Sequence, residues 1–258
     1  MTLDRAAVDA PTRRALTAEI VIVLLLSLGQ SAIYSVVSLI AKLTAGKPLS
    51  QQAAVLNQSQ SPRPYLDLTY QLLGISFALI PVALAIYLLS RDHLAPRRTL
   101  GLTADRRRFD LGWGTLLAAG IGIPGLLLVY VARLLGLSAD IVPAALQQVW
   151  WAVPVLVLSA IENAVLEEVI VVGYLITRLR SLGWSPALVI ACSAVLRGSY
   201  HLYQGFGTFV GNAVMGVVFA LFFLRFKRVM PLIVAHSILD TAAFVGYTLL
   251  PHSWLSWV

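Results

Sequence analysis

Apolar residues in this chain run in long unbroken stretches, and the polar residues gather between them. Stretches of about 20 residues with few charges match the hydrocarbon thickness of a bilayer, where helices satisfy their own backbones. Such stretches predict spans at 18–43, 67–90, 111–135, 186–203, 208–224 and 231–250. The third holds Gly120, Gly122, Pro124 and Gly125, which predicts a kink or close packing. The polar loop 44–66, rich in Gln, Ser and Pro, is expected to be poorly structured. A short acidic turn at Asp140 precedes one long element, 143–180, about 57 Å at helical rise and too long for one simple crossing. A break near Pro154, or a separate shorter helix, would bring the fold to an all-α polytopic bundle of about seven to eight membrane helices.

Composition agrees with that class. The chain is 59% hydrophobic and 12% charged with a mean hydropathy of +0.82, whereas soluble domains approach about a quarter charged. The first span is too long for a signal-peptide core and has no convincing cleavage site behind it, so it is expected to stay as an anchor. A lone cysteine, Cys192, excludes a disulfide framework and a cysteine metal cluster. The net charge of +7 is spread in short clusters between apolar runs, which suits anionic lipid headgroups and topology signals rather than nucleic acid. With a cytoplasmic N-terminus and seven crossings, Arg5, Arg13, Arg14, Arg91, Arg97, Arg98, Arg106, Arg107, Arg108, Arg178, Arg180, Arg225, Lys227 and Arg228 fall inside. Only Lys42, Lys47, Arg63 and Arg133 fall outside. Trp150, Trp151, Trp254 and Trp257 would then mark the outer interface, and Trp113 and Trp184 the inner one.

Candidate chemistry lies within the apolar runs. Glu167 and Glu168 sit side by side among Val165, Leu166, Val169, Ile170, Val171 and Val172. An ionised carboxylate in hydrocarbon costs about 3 kcal/mol on insertion scales, and two neighbours also repel, so the pair requires compensating partners on other helices. Counting from the basic ends, Glu167, His201, His236 and Asp240 come to depths of about 12 to 22 Å, a shared slab of the membrane. His236 and Asp240 are spaced i, i+4, as are Arg197 and His201. A glutamate and a histidine can share a water and take its proton, and a second histidine with a polar neighbour can stabilise an oxyanion. Glu167, His201 and His236 could instead hold a divalent metal such as zinc, although no H-E-x-x-H signature is present.

These residues resemble the CPBP family (CAAX protease and bacteriocin-processing, or Abi) of intramembrane proteases. Its first motif, E-E-x-x-x-R, is similar to Glu167-Glu168 followed by Val172 and Gly173; its second, F-x-x-x-H, to Arg197 through His201; its third, H-x-x-x-N/D, to His236 through Asp240. The likeness runs over about 144–246, with a Leu100-Gly101-Leu102 run resembling the family's linker ahead of its domain. It implies a membrane-embedded endopeptidase in which Glu167 and His201 activate water, Glu168 supports them, and His236 with Asp240 binds the oxyanion. It also implies an integral protein of the bacterial plasma membrane, a polypeptide substrate, lipid contacts and, between the mechanisms argued for the family, one without metal. The chain then divides into a cytoplasmic segment 1–17, N-terminal membrane helices with a basic loop 18–110, and a CPBP-like catalytic bundle 111–258.

Two departures stand out: Val172 replaces the motif arginine, and Arg197 replaces the motif aromatic. Arg197 is therefore expected to supply the missing guanidinium from a neighbouring helix. Tyr200, Tyr203, Gln204 and Asn212 are candidate supporting groups, with an interhelical hydrogen bond favoured for Asn212. Gly207 and Gly211 read as close helix packing, Glu162 and Asn163 as a water path or a helix cap, and His252 as a solvated terminal residue. Two rival functions fit the same residues: a proton relay or transporter, against which no internal repeat is found, and a non-catalytic scaffold or immunity factor with an ancestral pocket.

Overall fold

The computed structural model describes residues 10–92 and 95–251. Arg5, Trp254, Trp257, His252 and most of the 1–17 segment lie outside them. The chain opens with α1 (Ala10–Leu25) and α2 (Leu28–Leu43), a pair bent by 55°. At the bend the Ser27 hydroxyl donates to the Val23 carbonyl at 2.7 Å, drawing that acceptor out of the helical ladder. Strand β1 (Ala53–Gln58) follows, then α3 (Pro64–Ala78) and α4 (Ile80–Arg91), which meet where Pro81 withholds an amide from the ladder. A single turn, α5 (Pro96–Thr99), leads to α6 (Arg107–Leu134) and strand β2 (Asp140–Ala145), paired in parallel with β1 from Ala53↔Asp140 onward.

The centre of the molecule is one composite rod. It runs through α7 (Ala152–Glu167), a π-helical stretch Glu168–Tyr174 and α8 (Leu175–Ser181). Every residue of the π-helical stretch is buried. Helix α9 (Pro186–Ser199) starts at Ser185, whose hydroxyl accepts from the Leu188 amide, and α10 (Phe206–Phe226) packs back along it. The last helix, α11 (Met230–Leu249), lies between α6 and α7. Large apolar side chains on the outer helices, among them Ile22, Val37, Phe77, Leu116, Ile123 and Leu127, face outward, as lipid contact requires. This is an integral membrane protein.

The expected count of seven to eight membrane helices is corrected. Among the described residues four helical segments are long and apolar enough to cross: Pro64–Arg91, Pro96–Leu134, Phe206–Phe226 and Met230–Leu249, with α1 and α2 as a fifth if the bent pair is one span. The central rod carries Glu162, Glu167, Glu168, Arg178 and Arg180, and α9, with 14 residues, reaches only about 21 Å at helical rise against about 30 Å of hydrocarbon. The seven-crossing assignment of loops to sides falls with the count. Nor is the fold wholly α. Residues 44–66, expected to be poorly structured, supply β1, and the acidic turn at Asp140 opens β2, where Pro143 also lies. The rod begins only at Ala152, so Pro154 sits in its first turn and breaks nothing.

Two buried ionic nodes tie the helix ends together. The Arg178 guanidinium, expected at a surface, is buried, donating to Glu19 at 2.8 Å, to the Leu88 carbonyl at 3.0 Å and to Asp92. The Arg228 guanidinium donates to Asp110 Oδ2 at 2.7 Å, with both side chains almost wholly enclosed. Removing one partner of an enclosed pair strands the other charge, at about 3–5 kcal/mol. Arg228→Leu is therefore expected to lower the thermal midpoint in detergent sharply, and Arg228→Leu with Asp110→Leu to recover most of it. An unchanged midpoint in the single variant would show the pair to be dispensable.

Candidate active site

Adjacent residues of an α-helix diverge by about 100°, so two neighbouring glutamates do not normally address one partner. Here the π-helical stretch starts at Glu168. Its wider turn, i→i+5, narrows the angle between successive side chains, and π segments recur at functional sites. Both carboxylates meet the same guanidinium. Arg197, fully buried on α9, donates through Nη1 to Glu167 Oε2 at 3.3 Å and through Nη2 to Glu168 Oε1 at 2.5 Å. It lies 5.3 Å over the Phe219 ring, and there is room for it because α10 carries Gly216, where a Cβ would stand 3.2 Å from Arg197 Cδ and 2.9 Å from Ala194 Cα.

The remaining partners divide the two glutamates by role. Glu167 Oε2 also accepts from the Tyr200 hydroxyl at 2.7 Å, which leaves Oε1 free to face His201. His201 Nε2 stands 3.9 Å from that oxygen and is buried without a hydrogen-bond partner. Glu168 Oε1 accepts in addition from His236 Nδ1 at 2.7 Å. The opposite ring nitrogen of His236 is 3.5 Å from Asp240 Oδ1, and the Asn163 amide approaches Asp240 Oδ2 at 3.4 Å. The Glu168–Arg197 side is sealed, whereas the His201 and Asp240 side chains retain about a fifth of their exposure, 19% and 22%. The cluster is thus closed behind and open in front.

Glu167, Glu168, Arg197, Tyr200, His201, His236 and Asp240 are brought together. Asn212 is not: its amide donates to the Thr208 carbonyl of its own helix at 3.0 Å. His201 is also not on a helix face with Arg197, because α9 ends at Ser199 and His201 occupies the turn behind it. That turn is held by Gly205, at φ 118°, where a Cβ would meet the Leu137 carbonyl at 2.6 Å. The Ala139 amide donates to the Gln204 carbonyl at 2.8 Å, so the turn is stitched to the segment that becomes β2. Sequence alone reads Asn163 as a water path or a cap; its spacing from Glu167 carries the signal for the site, one helical turn away on the same rod.

Glu167, Glu168 and His236 offer donor atoms within 4.8 Å of one another, a set different from the Glu167, His201 and His236 of the sequence. A divalent cation fits them poorly. A permanent cation, Arg197, already bridges the two carboxylates, and His236 gives its Nδ1 directly to Glu168 rather than to a shared centre.

No curated protein and no solved structure matches the chain. Residues 149–242, which carry all of the clustered groups, match the family model for Type II CAAX prenyl endopeptidase Rce1-like proteins.

Proposed function

We propose that the protein is an intramembrane endopeptidase that hydrolyses a peptide bond with water activated by Glu167 and His201. The observation that carries this reading is the division of labour at Glu167. Its Oε2 is pinned by Tyr200 and Arg197, while Oε1 faces an unpartnered His201 Nε2 across 3.9 Å, a gap that one water can share. In the proposed reaction that water gives its proton to the Glu167–His201 pair as its oxygen attacks the scissile carbonyl. The developing oxyanion is met on the open side by the His236 ring edge and the Asn163 amide, with Asp240 orienting both. Glu168 and Arg197 stay behind the reacting groups, fixing His236 and Glu167. The same proton is then available to the leaving amine.

The family matched by residues 149–242 is one of CAAX prenyl endopeptidases, which supports peptide hydrolysis as the class of reaction. The divergent feature of this chain is the guanidinium, supplied by Arg197 where position 172 is valine. Purified wild type in detergent is expected to cleave members of a fluorogenic peptide library, and Glu167→Ala, His201→Ala and His236→Ala each to slow cleavage by about 10²-fold or more. Cleavage left unslowed by all three substitutions would end the assignment. Ion flux through reconstituted liposomes, lost on the same substitutions and without peptide cleavage, would replace it with a proton relay.

A further inference from the structure

Helix α2 carries a polar face that the site described above does not use. Gln30, Ser31, Tyr34, Ser35 and Ser38 recur at intervals that put them on one side of an otherwise apolar helix. In a bilayer such a face lines protein or a cavity rather than lipid. It does line a shallow, largely open cavity of about 330 Å³, whose opposite wall is formed by Tyr200 and Tyr203. Ser35 holds that wall in place, its hydroxyl accepting from the Tyr203 amide at 2.6 Å. The side chains of Gln30, Ser31 and Ser38 form no hydrogen bond among the described residues, and Gln30, Ser31 and Tyr34 are exposed. Tyr200 is shared: one side of it lines the cavity and its hydroxyl donates to Glu167.

We infer that this cavity binds an extended polypeptide segment, whose backbone N–H and C=O groups satisfy Gln30, Ser31 and Ser38 while small or aliphatic side chains rest against Tyr34, Tyr200 and Tyr203. An acyl chain has nothing to offer the amide and two hydroxyls, so it would leave them unpaired. The inference rests on the endopeptidase reading for its purpose, since the wall it shares with Glu167 makes the cavity a subsite beside the reacting bond. It adds α2, which lies outside the matched residues 149–242, as a specificity-determining element.

Cys192 is the chain's one cysteine, so Cys192→Ala with Ser31→Cys gives a single reporter thiol in the cavity. In nanodiscs of the Glu167→Gln form, which keeps the probe intact, an Ala-Ser-Leu repeat nonapeptide at ten times its Kd is expected to slow maleimide labelling of that thiol about tenfold. Filling the cavity with Ser31→Phe and Ser38→Phe is expected to raise KM for the same peptide in otherwise wild-type protein by about tenfold or more, with kcat and thermal midpoint little changed. Labelling that the peptide does not slow, or a filled variant with unchanged KM, overturns the inference. Protection without any cleavage by wild type would retire the endopeptidase reading and leave the cavity assignment standing. Cleavage without protection would do the reverse.

Discussion

Replacing Arg197 with leucine is expected to abolish peptide cleavage and to cost about 3–5 kcal/mol of stability, because two buried carboxylates lose the guanidinium that bridges them. The loss follows from position as much as from charge. Glu168 is fully enclosed and Glu167 nearly so, so neither can turn to solvent for compensation. Arg197→Lys is expected to keep the fold but only part of the activity, since an ammonium is a point charge and cannot bridge two carboxylates in the fixed fork of a guanidinium. The decisive variant restores the cation elsewhere. Val172 is buried one π-turn beyond the glutamates, four residues after Glu168 and five after Glu167. Val172→Arg, introduced together with Arg197→Ala so that space is left beside Gly216, is expected to recover a measurable part of both cleavage and thermal midpoint. Full activity in Arg197→Leu would show that the guanidinium does not serve the site. A recovered midpoint without recovered cleavage would show that the guanidinium must stand at position 197 to serve the site, beyond holding the core.

The site was legible in the sequence for the reason that makes Arg197 important. Carboxylates in an apolar run cannot persist alone, so Glu167 and Glu168 announced partners, and the histidines and the arginine at similar depth were the groups able to provide them. The membrane count failed because hydropathy cannot tell burial in protein from burial in lipid. Val169, Ile170, Val171 and Val172 are apolar all round, and protein, not hydrocarbon, surrounds them. Arg178 misled in the opposite sense: a basic residue at the end of an apolar run reads as a topology signal, yet Glu19 and Asp92 enclose it. The sheet was hidden by distance. Strands β1 and β2 are short and rich in alanine, and they find each other only across the intervening residues 59–139, a pairing no local pattern encodes.

Glu167→Gln is expected to lower the rate of cleavage by about 10²–10⁴-fold, the range that a positioned general base contributes, while leaving the fold intact. Glutamine keeps the shape of the side chain and can still accept from the Tyr200 hydroxyl, but its amide cannot take a proton from water. His201→Ala should cost a comparable factor. The informative variant is the double one. If Glu167 and His201 act on one water, removing either disables the same step, and Glu167→Gln with His201→Ala should be little slower than the worse single variant. If each contributed separately, the two losses would multiply. Tyr200→Phe supplies the scale for a positioning contact, since it removes one of the two hydrogen bonds that hold Oε2 and leaves Oε1 facing His201. Its expected cost is about 10- to 150-fold, the worth of one hydrogen bond to a charged group. Multiplying losses in the double variant, or a Tyr200→Phe enzyme as slow as Glu167→Gln, would mean that the 3.9 Å gap is not where water is activated.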